Sequence, residues 1–130
     1  METIQNDHEE LSKYRILRSK ETLEDAILLI DNDRYISAVN RLYYACFYAV
    51  LAYLHKIHIV ARTHEGIKKM FGKHLVLTGL VDTEMASFYA RLLNKRITGD
   101  YDEFQKITKE DILDLKENAI RFITRIENLL

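Results

Sequence analysis

Between Tyr35 and Ile57 the chain places an apolar or aromatic residue at most positions and contains no acid, glycine or proline. Such a run suits a helix of about 35 Å at 1.5 Å rise per residue. Val39, Leu42, Cys46, Ala49, Tyr53 and Ile57 make one apolar stripe, and Tyr43, Phe47, Val50 and Leu54 make a second beside it. Two stripes require burial by more than one neighbour. Turning 100° per residue collects Ser37, Asn40, Arg41, Tyr44, Tyr48 and His55 on the remaining side, interrupted by Leu51 and Ala52. This seam of hydrogen-bonding tips reads either as a solvated face or as a face toward a partner subunit or a bound polyanion.

The other periodic segments are helical too. Before this rod, Leu11, Tyr14, Leu17, Leu23, Ile27 and Ile30 recur at three- and four-residue spacing, predicting an outer amphipathic helix from about Asp7, with residues 1–6 disordered. Asp31, Asn32 and Asp33 offer a turn and a side-chain cap for the rod. Thr63 can cap a third helix whose inward positions are Ile67, Met70, Phe71 and Leu75, loosened by Gly66 and Gly72. Asp82 caps a fourth, with Met85, Phe88, Tyr89 and Leu92, reaching about Arg96. Thr108 and Asp111 form an acidic capping box ahead of a last helix through Leu115, Ala119, Phe122, Ile123, Ile126 and Leu129. No strand-length alternation or repeat interrupts this pattern. The expected fold is all-α: a single domain over 7–130, four to five helices in an antiparallel up-and-down bundle with a long central second helix.

The chain is 130 residues long and carries a net charge of -1, which is uninformative until it is mapped along the sequence. Residues 34–81 hold seven lysines and arginines against one acid, Glu65, whereas both flanks are acidic. If folding gathers these bases on one face, they attract phosphate; acidic outer helices neutralising them internally is the alternative. With no long uncharged apolar run and an acidic, polar start, a soluble cytoplasmic protein without membrane contact is expected. Cys46, the one cysteine, sits among apolar residues and reads as core.

Metal and cofactor chemistry finds no support. His64, Glu65 and Lys68 begin like a zincin motif and fail at the second ligand, and His55 and His58 lack a third. Asp31-Asn32-Asp33 opens like a calcium loop but has Ile36 and Leu42 where glycine and glutamate belong. No phosphate-binding glycine loop or serine nucleophile elbow occurs. Neither a metal nor a cofactor is expected.

Four segments in order are recognisable together: Ser37-Ala-Val-Asn40-Arg41-Leu-Tyr43-Tyr44-Ala-Cys-Phe47-Tyr48-Ala; Thr63-His64-Glu-Gly66-Ile; Phe71-Gly-Lys73-His74-Leu-Val-Leu-Thr-Gly79-Leu; and Arg96-Ile-Thr-Gly99-Asp100-Tyr101. From about Tyr14 to Leu130 the chain resembles the HEPN family of small helical proteins. That resemblance implies homodimerisation through the long central helices, here through Asn40, Tyr44 and Tyr48. It also implies pairing with a minimal nucleotidyltransferase as a toxin-antitoxin module. Some members are metal-independent ribonucleases that use an arginine followed, after four to six residues, by histidine. This chain has no such pair, because the last histidine is His74 and Arg96 is followed by Asp100 and Tyr101. A carboxylate does not serve as both acid and base near pH 7 as an imidazole does.

Arg96, Asp100 and Tyr101 therefore have two readings. They form a helix-ending clamp, or they are the remnant of a divergent ribonuclease site in which Tyr101 occupies the place of a modifiable tyrosine. The leading expectation is a homodimeric module that binds nucleotide or RNA through Arg41, His64, Lys73 and Arg96 and works with a nucleotidyltransferase. A divergent ribonuclease and a purely structural or regulatory subunit are the alternatives.

Overall fold

The computed structural model describes residues 2–98 and 107–130, with the side chains of residues 7–95 and 107–130. Five α-helices and no strand occur among the described residues: α1 (Glu2–Asp31), α2 (Tyr35–Lys56), α3 (His64–Phe71), α4 (Thr83–Thr98) and α5 (Lys109–Glu127). A single π-helical turn, Gly72–Val76, continues α3. The backbone is helical from Glu2, so α1 starts earlier than the apolar periodicity predicts.

The rod α2 is the hub of the bundle, packing against α1, α3, α4 and α5. Ala38, Leu42, Tyr43, Ala45, Cys46, Ala49, Val50 and Ala52 on α2 are completely buried. Burial pushes the Cys46 thiol far above its ordinary pKa, in keeping with a core residue rather than a reactive one. The C-terminal ends of α2 and α5 lie together, joined where Lys56 Nζ donates to the Leu129 carbonyl at 3.0 Å.

The packing of α1 divides the expected stripe: Ile30 is buried and Leu23 packs against the core, but the N-terminal half turns the other way. Leu11, Tyr14 and Leu17 are 42%, 53% and 57% exposed, whereas Ser12, Ser19 and Thr22 are buried against the core. The Ser12 hydroxyl donates to the Ala52 carbonyl and the Ser19 hydroxyl to the Ala45 carbonyl, each at 2.7 Å. These two pairs run in opposite directions along the helices, which makes α1 and α2 antiparallel. Small side chains at Ser12, Ser19 and Ala26 on α1, and at Ala38, Ala45 and Ala52 on α2, let the backbones approach closely enough for hydroxyl-to-carbonyl bonds. Large residues at those places would force the helices apart.

The helix ends follow their chemistry with one exception. Thr63 accepts from the Gly66 amide at 2.9 Å, Asp82 accepts from the Met85 amide at 2.8 Å, and Thr108 with Asp111 completes a reciprocal capping box. Gly66 is required by its cap rather than merely tolerated, because a Cβ there would meet Thr63 Oγ1 at 2.9 Å. The exception is α2, whose N-cap residue is Arg34, with no side-chain cap. Asp33 instead adopts a left-handed backbone (φ 59) and accepts a bond from the Tyr35 hydroxyl at 3.1 Å.

Candidate nucleic-acid interface

The polar seam of α2 stays partly open to solvent: Ser37 and Asn40 are exposed, and Arg41, Tyr44, Tyr48 and His55 are half-buried. Beneath it a column of rings runs through the bundle. Phe122 of α5 stacks on Tyr89 of α4 at 5.3 Å, Tyr89 stacks on Tyr43 of α2 at 5.9 Å, and the Tyr43 hydroxyl lies 2.7 Å from His64 Nδ1 at the start of α3. Burial raises the Tyr89 phenol well above its ordinary pKa, so it stays neutral. The column ends outward on His64, whose ring sits 4.6 Å from Phe47 and 5.9 Å from Tyr44.

Around this histidine the tyrosines of the seam carry guanidinium groups. Arg41 lies over the Tyr44 ring at 5.2 Å and donates to Asn40 Oδ1 at 2.9 Å. Tyr48 is approached by Arg18 at 5.7 Å and Arg15 at 6.0 Å, both from α1. Planar cations stacked on tyrosines, beside a half-buried imidazole, suit a ligand that offers both phosphate charge and flat bases.

The structure thus brings Asn40, Arg41, Tyr44, Tyr48 and His64 onto one face. Lys73 is elsewhere, on the π-helical turn, lining a groove with Lys68 and Lys69. The basic middle of the chain therefore does not gather on one face. No ion pair among the described residues neutralises Lys68, Lys69, Lys73 or Arg41; the pairs that form are Arg18 with Glu21, Lys20 with Glu127, and Arg121 with Glu117. The side chain of Arg96, together with Asp100 and Tyr101, lies outside the described residues.

Arg15 and Arg18 escaped the sequence reading because they belong to an acidic segment, and charge summed along a segment hides the face each residue occupies. Their spacing of three on α1 was the available signal. Among the described residues, no group of three or more histidines, cysteines and acids is arranged to hold a metal ion, and no helix is long and apolar enough to cross a membrane.

Comparison with known proteins agrees with this architecture. The family model "HEPN domain" matches residues 12–129. A UPF0332 protein of Thermotoga maritima is 39% identical over 125 residues, covering 96% of this chain and 95% of that protein. Two proteins of Methanocaldococcus jannaschii carry the names "Putative toxin MJ0142" and "Putative toxin MJ0605". The first is 33% identical over 88% of this chain and 78% of its own length, the second 31% identical over 86% and 83%. With a helical bundle centred on α2 and a family match across nearly its whole length, the chain belongs to the HEPN family.

Proposed function

We propose that this protein is a toxin-type HEPN module that acts in the cytoplasm as a homodimer, binds RNA at the tyrosine-lined face of α2, and is controlled by a nucleotidyltransferase partner. The observation that carries the reading is the stacking of Arg41 on Tyr44 and of Arg15 and Arg18 on Tyr48, next to His64. Guanidinium groups supply phosphate contacts at the edge of the seam, where the tyrosine rings hold them in place. Toxin character is supported by the names of the two Methanocaldococcus relatives. A second copy meeting Asn40, Tyr44 and Tyr48 would double the cationic character of the face and turn it into a cleft.

The test is a fluorescence titration of a single-stranded RNA oligonucleotide at about 50 and about 200 mM salt. The reading expects binding at low salt that weakens steeply at high salt, and a loss of about tenfold or more in affinity on Arg41→Ala. Absence of binding at low salt would remove RNA from the proposal. Copurification with the product of a neighbouring nucleotidyltransferase reading frame tests the partner separately.

A further inference from the structure

The strongest unexplained surface lies away from the tyrosine face. A groove of about 720 Å³ runs along α3 and the π-helical turn, with Met70, Val76, Leu77 and Ala86 as its apolar lining and Lys68, Lys69 and Lys73 on its rim. Leu77 is 83% exposed, the highest value among the exposed large hydrophobic side chains. No acid lines the groove, and none of the three lysines has an ion-pair partner among the described residues. Glu65 shares only the neighbouring hollow with Lys68 and Lys69. An apolar floor under unneutralised ammonium groups is incomplete in the monomer.

The complementary surface is on the same chain. On the outer side of α1, Leu17 and Leu28 are 57% and 61% exposed, with exposed Glu21 and Glu24 between them. Positions 17, 21, 24 and 28 fall on one line of a helix, with the leucines about 16 Å apart. Of these two acids, among the described residues Glu21 has an ion-pair partner, Arg18 at 3.9 Å, and Glu24 has none.

We infer that α1 of one copy seats in the lysine groove of the next, Leu17 and Leu28 meeting the apolar floor around Leu77 while Glu21 and Glu24 face Lys68, Lys69 and Lys73. A bare phosphate chain would use the lysines but leave Leu77 and Val76 wet, whereas a leucine-flanked acidic helix covers both. The two surfaces are different patches of one molecule, so the contact is head-to-tail and builds rings or open chains larger than a dimer. It uses residues other than those of the proposed dimer, although Glu21 adjoins that face through Arg18, which lies over Tyr48.

Sedimentation velocity from about 1 to about 100 µM in low salt tests this directly. The wild-type average mass should keep rising past the dimer, and the dimer-breaking variant Tyr44→Glu should still grow, in steps of a single chain. K68E/K69E and E21K/E24K should each raise the self-association Kd about tenfold or more, and the four-fold charge swap should restore growth. Leu77→Asp, at a surface position where folding is spared, should abolish growth. A wild-type mass constant with concentration, or a charge swap as defective as either pair, overturns the inference. So does protection of Lys68 and Lys69 from acetylation that appears only when a single-stranded RNA oligonucleotide is added, which would assign the groove to RNA.

Discussion

The Tyr43 hydroxyl and His64 Nδ1 lie 2.7 Å apart, joining a completely buried ring of α2 to a half-buried imidazole at the start of α3. This bond ties the orientation of His64 to the bundle interior. Tyr43→Phe keeps the stacking on Tyr89 and removes only the hydroxyl, so it should cost about 1 kcal/mol in urea unfolding. The RNA binding proposed for this face should weaken along with it, through a less ordered His64. A stability unchanged within error would show that the bond contributes nothing.

Ser19 is fully buried and donates to the Ala45 carbonyl. Removing the hydroxyl by Ser19→Ala should lower stability by about 1 kcal/mol. Ser19→Leu, which the expected amphipathic pattern would call harmless, should cost about 1–3 kcal/mol or more by forcing α1 off α2. Thermal unfolding of the two variants decides whether closeness or greasiness holds these helices together.

Glycine-to-alanine replacements inside a helix ordinarily stabilise by about 0.5–1 kcal/mol. Gly72→Ala should follow that rule, because nothing lies within 4 Å of its would-be Cβ. Gly66→Ala should reverse it and lose about 1 kcal/mol, since the new methyl displaces the Thr63 oxygen that caps α3. The opposite signs are measurable side by side in chemical denaturation.

The pKa of His55 is held below its ordinary value of 6.5, first by burial and then by the nearby positive charges of Arg15 and His8. The neutral ring is thus favoured in the folded state, and the stabilisation is complete above the unfolded value. As pH drops through about 6.5, the unfolded chain takes up a proton that the folded chain resists, so stability falls. The melting temperature should therefore decline on acidification from about pH 7.5 to about pH 5.5, and less steeply in His55→Gln.

Replacing Tyr44 or Tyr48 by glutamate should split the proposed dimer, because it buries a carboxylate where two seams would meet. Light scattering reads the mass directly; a dimer that survives both changes places the interface elsewhere.

The two apolar stripes and the polar seam of the second helix were legible because they differ in composition, but its third buried face, Ala38, Ala45 and Ala52 against α1, was not, because such small side chains carry little hydrophobic signal. The caps at Thr63, Asp82 and Thr108 were legible too. What failed was the first half of α1, where Ser12 and Ser19 turn inward while Leu11, Tyr14 and Leu17 point outward; in its second half Ile30 and Leu23 meet the core as the periodicity predicts. Hydrophobic periodicity registers area, not closeness, and here closeness decides. The candidate site was only partly legible: of the residues named for phosphate binding, Arg41 and His64 lie on one face with Tyr44 and Tyr48, which the sequence assigned to a dimer seam, while Lys73 lines another surface and the arginines over Tyr48 come from a segment whose net charge concealed them.

The ring column has a consequence for biosynthesis. Phe122, at its inner end, belongs to α5, which leaves the ribosome after every other helix of the bundle. Until that segment docks, Tyr89 and Tyr43 lack their floor and His64 has no fixed bearing. A nascent chain therefore presents an immature surface, and the tyrosine-lined face is complete only once translation has passed the last helix of the bundle.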